Sequence, residues 1–155
     1  MVHGDTVIYE SLAIATYLDV HFGGPRLVPE DAEAVRTMQW VGVHNDSVQE
    51  ALTVGIVLER VVKPMFGMET NEATIAENLP KVQHILPVLD AAVADSGHFG
   101  SAEPTLADWY FVPSIAYGLG CSDTADLIAA QPNLSTWFER MNARDAVAVT
   151  VPHVG

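Results

Sequence analysis

The chain has little cysteine, little positive charge and no long apolar run, and each shortage excludes a class of protein. Its single cysteine, Cys121, cannot form a disulfide within the chain, which favours a reducing, cytoplasmic location. Seven Lys and Arg stand against twenty Asp and Glu, and the net charge of −13 would repel phosphate backbones and anionic lipid surfaces. No apolar run approaches the roughly 20 residues of a membrane span, and no secretory leader is visible. We expect no nucleic-acid partner and no membrane insertion.

Sequence patterns for metal or nucleotide chemistry are also missing. The six histidines never occur at the i, i+4 spacing of a zinc helix, and there is no Cys-x-x-Cys pair. Neither a Gly-rich phosphate loop nor a Gly-x-Ser-x-Gly elbow is present. We therefore expect no metal site and no nucleotide-dependent or hydrolase chemistry. Cys121 has no basic neighbour in sequence, so we interpret it as a small core residue.

The beginning of the chain predicts one short strand and one helix. Gly4-Asp5 is a turn signal, and the β-prone run from Thr6 to Tyr9 predicts the strand. From Ser11 the apolar residues recur at helical spacing, and the following Gly-Gly-Pro predicts that this helix ends near Phe22. We interpret residues 23–29 as a linker.

The remainder predicts a bundle of helices. One long helix begins near Glu30 and should stop at Lys63-Pro64, and a second, capped by Thr70 or Asn71, continues to residue 93 and packs antiparallel to it. Pro80 and Pro87 lie inside the second helix, so a kink or an earlier break is expected there. Three further helices are predicted near residues 105–119, 123–130 and 133–143, followed by a loose tail over 150–155.

Two short motifs carry chemical information. Glu10-Ser11 lies where the strand turns into the first helix, and the free N–H groups of a helix start favour a carboxylate ligand. The alternative is that Ser11 only caps its own helix while Glu10 complements the helix dipole. Thr105 and Asp108 have the spacing of a capping box, and we interpret them as structural residues.

These motifs, in this order, resemble the cytosolic glutathione S-transferase family, and the resemblance extends along nearly the whole chain. The strand-to-helix segment 7–14, the linker 25–29 and the segment 132–138 are similar to the corresponding family segments. The loop 63–73 resembles that of the phi class, so a phi-like member is expected. Asp145 departs from the family pattern, which usually has proline there.

The resemblance implies a mainly all-α chain whose parts have distinct origins. Residues 1–22 would be the remnant of a thioredoxin-like glutathione-binding domain, and residues 30–155, after the linker, the C-terminal helical domain. It also implies glutathione as co-substrate, with the Ser11 hydroxyl and N–H on the γ-glutamyl carboxylate and the Glu10 carboxylate on the ammonium group. A homodimer is compatible with the resemblance.

The resemblance further implies a pocket for an apolar electrophile. Three residues are candidates for its lining, Met65, Phe66 and Tyr117, and each of them would also suit the plain protein core.

The chain also departs from the family in a way that bears on catalysis. It lacks the β-α-β-α start that supplies the Ser, Tyr or Cys activating the glutathione thiol, and we therefore expect no catalytic residue in this chain. Two functions stay open. The first is conjugation of glutathione to electrophiles by thiolate attack when a complete N-terminal domain is present, and the second is a catalytically inactive helical binding or dimerisation module.

Overall fold

The computed structural model describes residues 1–150, with the Asp31 side chain left out, so the predicted loose tail lies outside the described residues except for Thr150. The described chain is mainly helical, which confirms the predicted fold class. In chain order its elements are β1 (Val2–His3), β2 (Thr6–Val7), α1 (Ser11–His21), α2 (Asp31–Val43), a π-helical segment (His44–Val62), α3 (Lys63–Met65), α4 (Glu72–Ala94), α5 (Leu106–Leu119), α6 (Ala125–Ala129), α7 (Pro132–Asn142) and α8 (Asp145–Ala148). Within residues 1–150, no helix combines the length and apolarity required to cross a membrane.

The N-terminal strand is one half of a small hairpin. Val2 pairs with Val7 and His3 with Thr6 in antiparallel register. Gly4, at φ +58°, provides the left-handed backbone that so tight a turn needs. The prediction of a single strand was therefore wrong. Because the preceding residues give β2 a partner, the hairpin forms locally, and Tyr9 leaves it to turn into α1.

The first long helix is unbroken from Asp31 to Met65. Its middle part has the wider π register, in which the Lys63 N–H donates to the carbonyl of Leu58, five residues earlier. Pro64 lies within the last turn, so the predicted stop at Lys63-Pro64 came slightly early. Proline removes only one hydrogen bond there, and the helix ends instead just before Gly67, whose φ is +68°.

Helix α4 passes through Pro80 and Pro87 without interruption, so the predicted break was wrong. Both prolines are exposed, and so are Ala76 and Gln83, whose carbonyls lose their helical partner. Water can satisfy those carbonyls because they belong to the solvent side. The opposite side of α4 forms a continuous buried stripe, which contains Ile75, Asn78, Val82, Leu86, Leu89 and Val93.

The cap of α4 and the packing of the two long helices agree with the predictions. Asn71 is the N-cap, and its side-chain oxygen accepts the N–H groups of the next turn. The Asn71 N–H donates to the Glu59 carboxylate, and Asn78 lies against Gly55. Residue numbers therefore increase along α4 in the direction in which they decrease along the first long helix. The helices are therefore antiparallel, as predicted.

The core lies between the long helix, α4, α5 and α7. Phe99, Phe111 and Trp137 are fully buried, and the Phe99 and Phe111 rings stack with centroids 4.0 Å apart. Cys121 is also buried, which confirms its interpretation as a core residue. Shorter helices α6 and α8 pack at the edge of this core through Ile128 and Val147.

Candidate functional site

The start of α1 has an unusual backbone. Glu10 is its N-cap residue and has φ +65° and ψ 132°, a combination that costs a non-glycine residue on the order of 1–3 kcal/mol. Such strain concentrates at ligand-binding positions. Ser11 is the first helical residue, and no side chain caps this helix. Ser11 therefore does not act as the cap of its own helix, which was the structural alternative for this motif.

The Ser11 hydroxyl is held by a residue distant in sequence. Tyr110 of α5 donates its phenolic O–H to Ser11 Oγ at 3.2 Å, across 99 residues of chain. Because Ser11 Oγ accepts here, its own proton stays free for an acceptor. The first helical backbone bond is made by the Ile14 N–H, so the three N–H groups before it also have no helical acceptor. A carboxylate placed here would meet several donors at the positive end of a helix dipole.

Asp19 fixes α1 and the linker against the helical bundle. Its carboxylate accepts the N–H groups of Leu27 and Val28 and the guanidinium of Arg26. Burial would raise the pKa of Asp19, but these hydrogen bonds outweigh burial and keep that pKa below its usual value. The Leu27 carbonyl in turn accepts the Leu106 N–H at the start of α5. The Asp19 carboxylate and one backbone hydrogen bond thus hold α1, which begins at Ser11, beside the start of α5.

A cavity of about 410 Å³, which we call the Ser11 cavity, opens beside this helix start. It lies between α1, the π-helical segment and α5. Its lining combines aromatic, small and hydroxyl-bearing side chains: Ser11, Ala15, His44, Gln49, Thr53, Leu106, Trp109, Tyr110, Pro113, Ser114 and Tyr117. The structure therefore brings Ser11 and Tyr117, two residues predicted from the sequence, into one cavity.

The polar side chains on one side of the Ser11 cavity are hydrogen-bonded to one another. Ser114 Oγ lies 2.9 Å from His44 Nε2 and 3.2 Å from Thr53 Oγ1, while His44 Nδ1 lies 3.0 Å from Asn45 Oδ1. Burial lowers the pKa of His44, although its hydrogen bond to Asn45 opposes that effect. The imidazole is therefore neutral near pH 7. The rings of Tyr110 and Phe111 enclose it edge-on.

A second cavity, of about 820 Å³, adjoins the Ser11 cavity and is mostly apolar. Trp109, Pro113 and Tyr117 belong to the walls of both cavities. The remaining lining comes from the linker, α5, α7, α8 and the second residue after α8: Leu27, Val112, Ala116, Asn142, Ala146, Val147 and Thr150. The buried indole N–H of Trp109 has no hydrogen-bond partner among residues 1–150.

The structure does not bring the other two predicted pocket residues to these cavities. Met65 ends α3 and Phe66 follows it, and their exposed fractions are 55% and 74%. Neither lines the Ser11 cavity or the larger apolar one. Their contact with an electrophile remains a prediction from the family resemblance.

Thr105 and Asp108 form the capping box of α5. The Asp108 carboxylate is fully buried and accepts the Thr105 N–H at 2.8 Å, the Phe99 N–H at 3.2 Å and the Trp137 indole N–H at 2.7 Å. It therefore ties the start of α5 to the preceding loop and to α7. This geometry is structural, and it sets the direction in which α5 presents Tyr110 and Ser114.

Sequence reasoning missed five polar residues of the Ser11 cavity, namely His44, Gln49, Thr53, Tyr110 and Ser114. Tyr110, Ser114 and Tyr117 are spaced by four and three residues on one predicted helix, which is a signal for a shared face. Nothing in local spacing connects them to Ser11 or to His44. Among the described residues, no group of three or more His, Cys, Asp or Glu side chains is arranged to hold a metal ion.

Comparison with known proteins gives this architecture a family. The model of the glutathione S-transferase C-terminal domain matches residues 49–145. The chain is 33% identical over 149 residues to a glutathione S-transferase of Hyoscyamus muticus, covering 92% of this chain and 68% of that protein. The chain belongs to the glutathione S-transferase family, and its plant relatives are of the phi class.

Solved structures show the same fold. The chain superimposes on glutathione S-transferase III in its apo form with a TM-score of 0.86 at 27% identity, covering 97% of this chain and 72% of that one. It also superimposes on glutathione S-transferase I from mais in complex with atrazine glutathione conjugate, with a TM-score of 0.84 at 25% identity, covering 95% of this chain and 68% of that one. The helical bundle and the helix start at Ser11 are therefore parts of a known enzyme architecture.

Proposed function

We propose that Glu10 and Ser11 bind the γ-glutamyl end of glutathione. The Ser11 hydroxyl and the free N–H groups of the α1 start would donate to its carboxylate, and the Glu10 carboxylate would accept its ammonium group. The observation that carries this proposal is the hydrogen bond from Tyr110 to Ser11, because it leaves the serine proton free to be donated to a ligand. A relative with a glutathione conjugate in its structure supports the choice of ligand.

The chemistry that follows is conjugation of glutathione to an electrophile. The glutathione thiolate attacks an electrophilic carbon, a sulfur–carbon bond forms, and the leaving group departs with its electron pair. The thiol-activating residue would come from a complete N-terminal domain, as the family resemblance implies. The described chain would bind the γ-glutamyl end of glutathione, and its adjoining Ser11 cavity would bind the electrophile. A homodimer, usual for the family, belongs to the same proposal.

Isothermal titration of the 155-residue chain with glutathione tests the binding step. Ser11→Ala should weaken binding about tenfold or more, since a hydrogen bond to a charged group contributes roughly 1.5–3 kcal/mol. Tyr110→Phe should weaken it a few-fold, because the serine then loses its orienting donor. Ser47→Ala removes a hydroxyl from another face of the long helix and should leave binding unchanged. Absence of saturable binding at millimolar glutathione would refute the proposal.

The second candidate is a helical module that binds an apolar ligand without catalysis. The observation in its favour is the 820 Å³ cavity, whose walls are mostly carbon. Titration with the dye 1-anilinonaphthalene-8-sulfonate should then show one saturable site whose affinity does not depend on glutathione. Ala116→Trp would fill the cavity and should abolish that binding. A dye affinity unchanged in Ala116→Trp would exclude the module.

A further inference from the structure

The polar side of the Ser11 cavity has a defined hydrogen-bond direction. An amide oxygen can only accept, so His44 Nδ1 carries the proton that goes to Asn45 Oδ1. His44 Nε2 of the neutral ring is then an acceptor and takes the proton of Ser114. Ser114 Oγ has no other proton, so Thr53 must donate to it. His44, Ser114 and Thr53 therefore each donate their one side-chain proton to another side chain of this protein.

The consequence is a cavity floor that offers acceptors and no donors. Ser114 Oγ keeps one free lone pair, and Thr53 Oγ1 keeps two. Ser114 and His44 are nearly fully buried, so bulk water cannot replace the hydrogen bond between them. Donors belong to other parts of the lining: Gln49 and Tyr117 are exposed at the rim, and the buried indole N–H of Trp109 has no partner among residues 1–150. The free proton of Ser11 is the one assigned above to the γ-glutamyl carboxylate.

We propose that the group bound in the Ser11 cavity carries a hydrogen-bond donor, a hydroxyl or an N–H, which pairs with Thr53 Oγ1 and Ser114 Oγ. This proposal rests on the proposed function and makes the substrate class more specific. The electrophile would be a largely apolar aromatic or aliphatic molecule with one hydrogen-bond donor at the end that enters the cavity. A wholly apolar ligand would leave Thr53 Oγ1 and Ser114 Oγ without a donor. A ligand with only acceptor atoms would place its lone pairs against those of the two hydroxyl oxygens. His44 acts here as a positioning residue, because it fixes the proton of Ser114.

Three small ligands of matched shape test this specificity without requiring glutathione. 4-Propylphenol has a donor, 4-propylanisole has only an acceptor at the same place, and propylbenzene has neither. Each is titrated into the ¹⁵N-labelled 155-residue chain, and the backbone N–H signals of Thr53 and Ser114 are followed by NMR. We expect the phenol to bind about five- to tenfold more tightly than the other two, as one neutral hydrogen bond allows. The anisole should bind no better than propylbenzene.

Two variants locate the effect. Thr53→Val has nearly the same shape without the hydroxyl, and because Thr53 is only half-buried the fold should tolerate it. It should bring the three affinities within about twofold of one another, while Ser47→Ala should retain the preference of the natural chain. Ser114→Ala, checked for its melting temperature, should act in the same way as Thr53→Val.

The outcomes separate this inference from the function on which it rests. Equal affinity of the three ligands, absence of signal shifts with 4-propylphenol, or a preference that survives Thr53→Val would each overturn the inference. A parallel titration with glutathione and Ser11→Ala reports on the γ-glutamyl site alone. Loss of glutathione binding with an intact preference for the phenol would therefore refute the proposed function and leave the donor specificity standing.

Discussion

The Asp108→Asn substitution should destabilise the fold strongly while keeping the shape of the side chain. One carboxylate oxygen accepts the Phe99 and Trp137 N–H groups, and the other accepts the Thr105 N–H. An asparagine that keeps its oxygen toward Trp137 turns its NH₂ toward the Thr105 N–H, so one buried donor loses its acceptor. That loss costs about 1–3 kcal/mol, and the remaining bonds lose their charge assistance, for about 3 kcal/mol in total.

Urea denaturation at pH 7, followed by the near-ultraviolet signal of the buried tryptophan, measures this change. For a chain of this length the corresponding loss of melting temperature is roughly 10 °C. Asp126→Asn is the matched control, because Asp126 is also an aspartate in the first turn of a helix but is exposed, and it should cost less than about 1 kcal/mol. If the two variants were equally stable, the assigned role of the Asp108 network would be incorrect.

Two further predictions concern the linker and the packing of the long helices. The pKa of Asp19 is lowered in the folded state, so its contribution should be complete above the ordinary carboxyl pKa of about 3.9 and disappear as the pH falls through the lower folded value. The protection factor of the Leu27 N–H, which compares its exchange with that of an unstructured amide at the same pH, should accordingly fall at acidic pH, and Asp19→Asn should lower it at pH 7; an unchanged protection factor in that variant would argue against the anchor. Gly55→Ala would place a Cβ 2.5 Å from Asn78 Cγ and should cost about 1–3 kcal/mol, whereas Gly42→Ala meets no atom within 4 Å and should stabilise by about 0.5–1 kcal/mol, both measured by thermal unfolding.

Local signals predicted much of the fold because they depend on near neighbours in the chain. The Asn71 cap, the end of α1 before Gly23 and the spacing of Thr105 and Asp108 all follow from backbone groups a few residues apart. The expected break in α4 failed for a reason that sequence does not contain. Whether an interior proline interrupts a helix depends on whether its side faces water or a neighbour, and the bundle places Pro80 and Pro87 in water.

The candidate functional site was also predictable from sequence only in part. Glu10 and Ser11 could be proposed from sequence because a strand that turns into a helix exposes its N–H groups wherever it occurs. Tyr110, which orients Ser11, and the chain from His44 through Ser114 to Thr53 join residues 61 to 99 positions apart. Sequence by itself determined most of the helices, the caps at Asn71 and Thr105, and the free N–H groups at the start of α1, since these rest on local geometry. Only the tertiary structure decided which hydroxyls and rings surround that start and which protons are free there, because hydrogen bonding across helices depends on how α1, the long helix and α5 pack together.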